Sequence, residues 1–142
     1  MSAQRELRFA IIGAGMSGIL SAIKLNEAGL TNYAIYEKTE RLGGTWRENT
    51  YPGVACDVPS HLYTYSFEPN PNWTQHFASG GEIQKYFEGV ASKYGVDKQI
   101  QYGQELARAE FRACWAPRDL LRPLLVGALP GVALMFILLR PP

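Results

Sequence analysis

Cysteine is scarce in this chain: two residues of 142, Cys56 and Cys114, too few for a disulfide framework and without metal-ligand spacing. That excludes a small cross-linked secreted scaffold and fits the reducing cytoplasm, which is the expected location. Histidine is equally rare. His61 and His76 stand apart without ligand company, so they are expected to be ordinary loop residues and no metal site is expected. Charge of either sign is also in short supply as a surplus: 14 Lys and Arg face 13 Asp and Glu, a net of +1. The basic residues are scattered and form no stripe, so nucleic acid is not an expected partner. The first residues have mixed charges and no apolar core, so no signal peptide is expected. The longest uncharged apolar stretch, Leu124 to Leu139, has sixteen residues and is interrupted by Pro130. A bilayer span takes about twenty.

What is present is a length and a hydrophobic content, 46%, that suffice for one domain with a real core. The apolar run Leu7-Arg8-Phe9-Ala10-Ile11-Ile12 leads into Gly13-Ala14-Gly15-Met16-Ser17-Gly18. A helical segment over about Met16 to Ala28 follows, then a second apolar run, Tyr33-Ala34-Ile35-Tyr36. Glu37 closes it, nineteen residues after the last glycine of the turn. Strand, glycine turn, helix, strand, acid is the order of a βαβ unit that binds a dinucleotide. Gly13 permits the tight turn, Gly15 lets the backbone approach a pyrophosphate, and Gly18 lets the helix pack close to the strand. The amides of Met16 and Ser17 open the helix, where free N–H groups and a partial positive charge suit phosphate. Glu37 suits the hydroxyls of an unphosphorylated ribose, as in FAD or NAD, and would repel a 2′-phosphate. Lys38 lies next in the chain, either over the adenine or in solvent.

Downstream stand Leu42-Gly43-Gly44-Thr45-Trp46 and Tyr51-Pro52-Gly53-Val54-Ala55-Cys56-Asp57. With the glycine turn and the acid they make four short motifs in a fixed order. In this the chain resembles the N-terminal region of class B flavin-dependent monooxygenases, the Baeyer–Villiger type in particular, from about Arg8 to about Arg112. The resemblance implies a Rossmann-like, three-layer α/β domain that binds FAD, in an enzyme that uses NADPH and oxygen. Such an enzyme inserts oxygen into a ketone or oxidises a heteroatom of a small organic substrate such as a sulfide or an amine. It places Gly44, Thr45 and Trp46 beside the flavin, Asp57 and Tyr63 nearest the reactive ring, and the backbone of Leu106 against the adenine. No catalytic residue is assigned, and Asp57 is the nearest candidate. The family often carries Arg two residues before this Asp, whereas this chain has Ala55.

The residues themselves support parts of that picture. Gly43 and Gly44 open backbone conformations that let amides face a phosphate or a ring. Trp46 offers a flat apolar wall, or ordinary core packing. Asp57, in a loop full of apolar and aromatic residues, is expected to be desolvated and to need partners. Tyr65, Phe67 and Trp73 are expected to pack, and Cys56 to be buried and inert. Ser79-Gly80-Gly81-Glu82 reads as a capping box ahead of a helix from about Gly81 to Tyr94, with Ile83, Phe87, Val90 and Ala91 as its apolar stripe. Two strand-like pieces follow, near Gln99–Tyr102 and Glu105–Phe111.

Residues 113–142 differ in character, with eight leucines and five of the nine prolines. The expected organisation is an incomplete FAD-binding domain over 1–112 and an atypical Leu/Pro-rich apolar tail over 113–142. Non-native sequence, a membrane anchor and a core helix remain open readings of that tail. The function expected is the FAD-binding part of an NADPH-dependent flavin monooxygenase. A non-catalytic flavin-binding fragment and a small membrane-associated protein are the alternatives.

Overall fold

The computed structural model of the chain describes residues 8–109 and, as backbone, 136–139. Strand β1 (Arg8–Ile12) runs into the glycine turn, helix α1 (Met16–Glu27) returns across the sheet, and strand β2 (Tyr33–Tyr36) pairs parallel to β1. In register, Phe9 faces Tyr33 and Ile12 faces Tyr36. A short strand β3 (Ile100–Gln101) adds parallel to β2, and β4 (Phe136–Leu139) pairs antiparallel to β1, giving the order β3-β2-β1-β4. The parallel three-strand part with its crossover helix is the expected Rossmann-like α/β arrangement. Of the tail, β4 alone is described. Residues 110–135 and 140–142, where most of the tail reading falls, lie outside the described residues. No helix among the described residues is long and apolar enough to cross a membrane.

Alternation explains the core. Ile11 on β1 and Ile35 on β2 point inward with Ile19 and Ile23 from α1. Helix α3 (Gly80–Lys93) adds Ile83, Phe87 and Ala91, all fully buried, and Val90. Ile83, Phe87 and Val90 are each worth about 1.5–3 kcal/mol on burial, so α3 is held by this stripe rather than by propensity. Ser79 is its N-cap, with its hydroxyl accepting from the Glu82 amide at 3.4 Å. Only half of the expected capping box forms. The Glu82 carboxylate turns instead to Thr74, whose amide and hydroxyl both donate at 2.9 Å. Two charge-assisted bonds win over the single Ser79 amide. The second expected strand piece is absent over Glu105–Ala109, and the rest of it lies outside the described residues.

Between β2 and α3 the chain forms a four-residue helix, α2 (Thr45–Glu48), then a long loop. The loop is anchored by backbone bonds from Cys56 to Ala78 and from Gly80 to Val54, and by Ser60, whose hydroxyl accepts from the Ala78 amide. Tyr63, Tyr65 and Phe67 pack on α3 through Phe87, Tyr86 and Tyr94.

Candidate functional site

The carboxyl ends of β1 and β2 open onto a cleft of about 370 Å³, lined by Gly13, Gly15, Glu37, Lys38, Gly44 and Leu106 among others. This is where an open parallel sheet takes its ligands. The glycine turn positions the first set of donors. Among the described residues the amides of Gly15, Met16, Ser17 and Gly18 have no acceptor within the protein, and the first helical bond is that of Ile19 to the Gly15 carbonyl. No side chain caps this helix. A Cβ on Gly18 would collide with the Gly13 carbonyl, so the glycine is what lets the helix start this close to the strand.

The second set of donors comes from the Gly43-Gly44 turn. The amides of Gly44 and Thr45 likewise have no acceptor within the protein. The two turns touch: the Gly43 amide donates to the Ala14 carbonyl at 3.0 Å, and a Cβ on Gly44 would lie 3.1 Å from the Gly15 Cα. Six N–H groups without an acceptor among the described residues thus lie on two turns that touch at Gly15 and Gly44. Such donors at a helix N-terminus and in a glycine turn suit an anionic ligand.

Glu37 stands at the other end of the cleft, 5% exposed. One carboxylate oxygen accepts from the Ala14 amide at 2.7 Å, and the other from the Thr39 amide at 3.1 Å and the Thr39 hydroxyl at 2.7 Å. Burial alone would raise its pKa. The bonds from Ala14 and Thr39, with the charge of Arg47, outweigh burial and hold the carboxyl below its ordinary value. A carboxylate offers about four acceptor sites, so three bonds leave room for one hydroxyl of a ligand. Lys38 is exposed to solvent and pairs with Glu48 at 3.1 Å. Leu106 is 42% exposed on the cleft wall.

Trp46 and Tyr63 form a unit: the indole N–H donates to the Tyr63 oxygen at 3.1 Å and the rings meet edge to face. Burial raises the Tyr63 pKa, partly opposed by the Trp46 bond, so its hydroxyl stays protonated at neutral pH. Asp57 departs from expectation. It is exposed and makes no side-chain bond among the described residues. The extended pairing of the loop at Ala55 and Ser79 sets an alternation that turns Cys56 inward, 4% exposed, and the next residue outward. His61 and His76 are exposed, and no group of metal-ligating side chains occurs among the described residues.

Three contributors escaped the sequence reading. Thr39 supplies two of the three bonds to Glu37. Arg47 adds its charge. Tyr65, expected only to pack, is buried and donates its hydroxyl to the Met16 carbonyl at 2.6 Å, fixing the opening turn of α1 from the far side. Only the position of Thr39, two residues after the acid, offered a local signal, since Ser and Thr often bond to neighbouring chain groups.

Comparison with known proteins shows what the chain is similar to. A profile described as an NAD(P)-binding Rossmann-like domain matches residues 11–79. An uncharacterised monooxygenase of Mycobacterium tuberculosis is 57% identical over 102 residues, 72% of this chain and 21% of that protein. A Baeyer–Villiger monooxygenase of Pseudomonas aeruginosa is 45% identical over 121 residues, 83% of this chain and 23% of that protein. Over its described residues this chain is similar to the flavin-dependent monooxygenases. Among solved structures, cyclohexanone monooxygenase in its open form superposes with a TM-score of 0.64 at 33% identity, over 70% of this chain and 20% of that one. OTEMO in complex with FAD and NADP gives a TM-score of 0.62 at 35% identity, over 66% of this chain and 18% of that one. The chain thus spans about a fifth of the length of the monooxygenases it matches, and corresponds to their N-terminal segment.

Proposed function

We propose that this chain binds the ADP half of FAD in the cleft between its two glycine turns, as the flavin-binding N-terminal segment of a Baeyer–Villiger-type monooxygenase. One observation carries the reading. The amides of Gly15 to Gly18, Gly44 and Thr45 have no acceptor among the described residues, and Gly15 and Gly44 line one cleft with the buried, ionised Glu37. The donors suit a pyrophosphate, and the carboxylate suits a ribose hydroxyl. A Cβ at Gly15 or Gly44 would press on the backbone of the other glycine, so the two glycines are what let the two turns lie this close. Met16 and Ser17 serve through their amides, Thr45 through its amide and hydroxyl, and Leu106 as the adenine wall. Lys38 acts through its pairing with Glu48 on the rim.

Bound FAD would supply the redox and oxygen chemistry, with NADPH as its reductant in a protein of the relatives' full length. This chain's part is to grip and orient. Trp46, fixed by Tyr63, forms a wall toward the isoalloxazine side, and Asp57 reaches outward toward whatever completes the site. The substrate class is a small ketone, sulfide or amine; the balanced charge supports neither nucleic acid nor a membrane as partner, and the free thiol of Cys56 supports a cytoplasmic location.

The test is flavin titration of the purified 142-residue chain. Quenching of flavin fluorescence with saturable stoichiometry is expected, together with loss of binding in Glu37→Arg, which places a cation where the ribose donates. Binding of FAD by that variant at wild-type affinity rejects the ribose assignment.

A further inference from the structure

The Gly43-Gly44 turn has a backing that neither the motif nor the cleft accounts for. Gln84, on α3 and 7% exposed, reaches under it. Its side-chain amide donates to the Leu42 carbonyl at 2.7 Å and to the Glu88 carboxylate at 2.9 Å. The same Glu88 oxygen accepts from Arg41 at 2.8 Å, so the two residues that lead into the turn, Arg41 and Leu42, are tied to one helix. The Gln84 carboxamide is packed so tightly on Gly43 that any Cβ there would collide with it. Its oxygen is buried without a partner, so it contributes no bond of its own and stays where packing and the amide bonds hold it. On the opposite side Gly43 donates to the Ala14 carbonyl, and Gly44 abuts Gly15. The turn is therefore clamped between α3 and the first glycine turn.

We propose that Gln84 is a positioning residue for coenzyme binding: it presses the Gly43-Gly44 turn against the Gly13–Gly18 turn and so sets the spacing of the two groups of open amides. The inference rests on the reading of the cleft as an FAD site. A turn with two glycines is soft, because glycine spans a wide range of backbone angles. Left unbacked, it would sample positions in which the Gly44 and Thr45 amides miss the phosphate oxygens. Hydrogen bonds weaken steeply with misplacement, and ordering the turn on binding costs affinity. Glu88 and Arg41 extend the clamp to the surface, where Arg41 is 68% exposed.

The experiment compares the full chain with Gln84→Met, which keeps the bulk and removes the donor. Three quantities are read well below the melting temperature: FAD affinity, visible circular dichroism of the bound flavin, and the melting temperature without FAD. The expected result is about tenfold weaker FAD binding with an altered flavin spectrum, the effect of losing the two hydrogen bonds of the Gln84 amide and the order they impose. A lowered melting temperature with unchanged affinity and spectrum means a merely structural glutamine and overturns the proposal. Arg41→Gln is the second variant, on an exposed side chain that folding tolerates. It is expected to weaken FAD binding about threefold, since it removes only the outer tie. Unchanged affinity in Arg41→Gln overturns the clamp if Gln84→Met does not fold. A wild-type chain that takes up no FAD overturns the flavin reading, and this inference with it. A wild type that binds beside a Gln84→Met that binds equally overturns this inference alone.

Discussion

Replacing Glu37 by glutamine tests the electrostatic heart of the site, because it keeps the shape and removes the charge. The carboxylate accepts from the Ala14 amide on one oxygen and from the Thr39 amide and hydroxyl on the other. A glutamine has one oxygen and one NH2. Its best orientation turns the oxygen to Ala14 and the NH2 to the Thr39 hydroxyl, which then donates only to the Arg41 carbonyl, already 2.9 Å away. The Thr39 amide is left without an acceptor, and the Ala14 bond loses its charge assistance. The sum is about 2 kcal/mol, taking about 1–3 kcal/mol for the orphaned donor. For a domain of about 100 residues that lowers the melting temperature by roughly 10 °C. The pH dependence has a definite sign. The Glu37 carboxyl is held below the 4.5 of an unperturbed glutamate, burial being outweighed by Ala14, Thr39 and Arg47. The unfolded chain therefore binds the proton first as pH falls. The stabilisation is complete above the ordinary carboxylate range and disappears as pH drops through the lower, folded value. Melting curves of both proteins from pH 7 down to pH 3 should show a constant gap at the upper end that narrows below about pH 4.5. Equal melting temperatures at pH 7, or a gap that does not change with pH, would refute the placement of an ionised carboxylate on these three donors.

Two further variants address the supports of the cleft. Gly18→Ala drives a Cβ into the Gly13 carbonyl; a loss of about 1–3 kcal/mol, as for other overpacked sites, is expected in urea unfolding, with weaker FAD binding because the glycine turn must shift. A wild-type urea midpoint would remove the packing role given to this glycine. Ser79→Ala deletes the N-cap of α3, whose bond to the Glu82 amide is long at 3.4 Å, so the cost should fall at the low end of cap effects, about 0.5–1 kcal/mol. It should appear as a lower denaturant midpoint with an unchanged slope. A changed slope would mean that α3 packs differently.

Periodicity and turn chemistry were enough to read β1, α1, β2 and α3 within one or two residues, because each has a strong local signal: an apolar run, a glycine stop or a helical stripe. β3 was legible only as a place, since two residues carry little pattern and its pairing to β2 is decided by the helix that precedes it. The half-formed capping box shows why motifs mislead. Ser79 and Glu82 have the right spacing, but spacing cannot reveal that Thr74, eight residues away, offers Glu82 two donors instead of one. Asp57 failed for a related reason. Its neighbours are apolar, yet a residue's burial depends on which way an extended segment points its alternate side chains, and that is set by the distant partner Ser79.

The glycine motifs were legible because each is a constraint on the backbone alone, and a backbone constraint is written in consecutive residues. What holds those turns in place is not local. Gln84 lies 42 residues from Leu42, Tyr65 lies 49 residues from Met16, and each supplies one bond that fixes a turn from outside. Neither residue type is rare on a helix or in an aromatic loop, so nothing in the sequence distinguishes it from its neighbours. The two turns also depend on one another: the first offers the Ala14 carbonyl to Gly43, while the same residue's amide holds Glu37. Ala14 thereby links the Gly43-Gly44 turn to the Glu37 carboxylate through a single residue. A change that displaces Gly43 is transmitted to the carboxylate, so a loss at Gln84 and a loss at Glu37 should be coupled rather than additive.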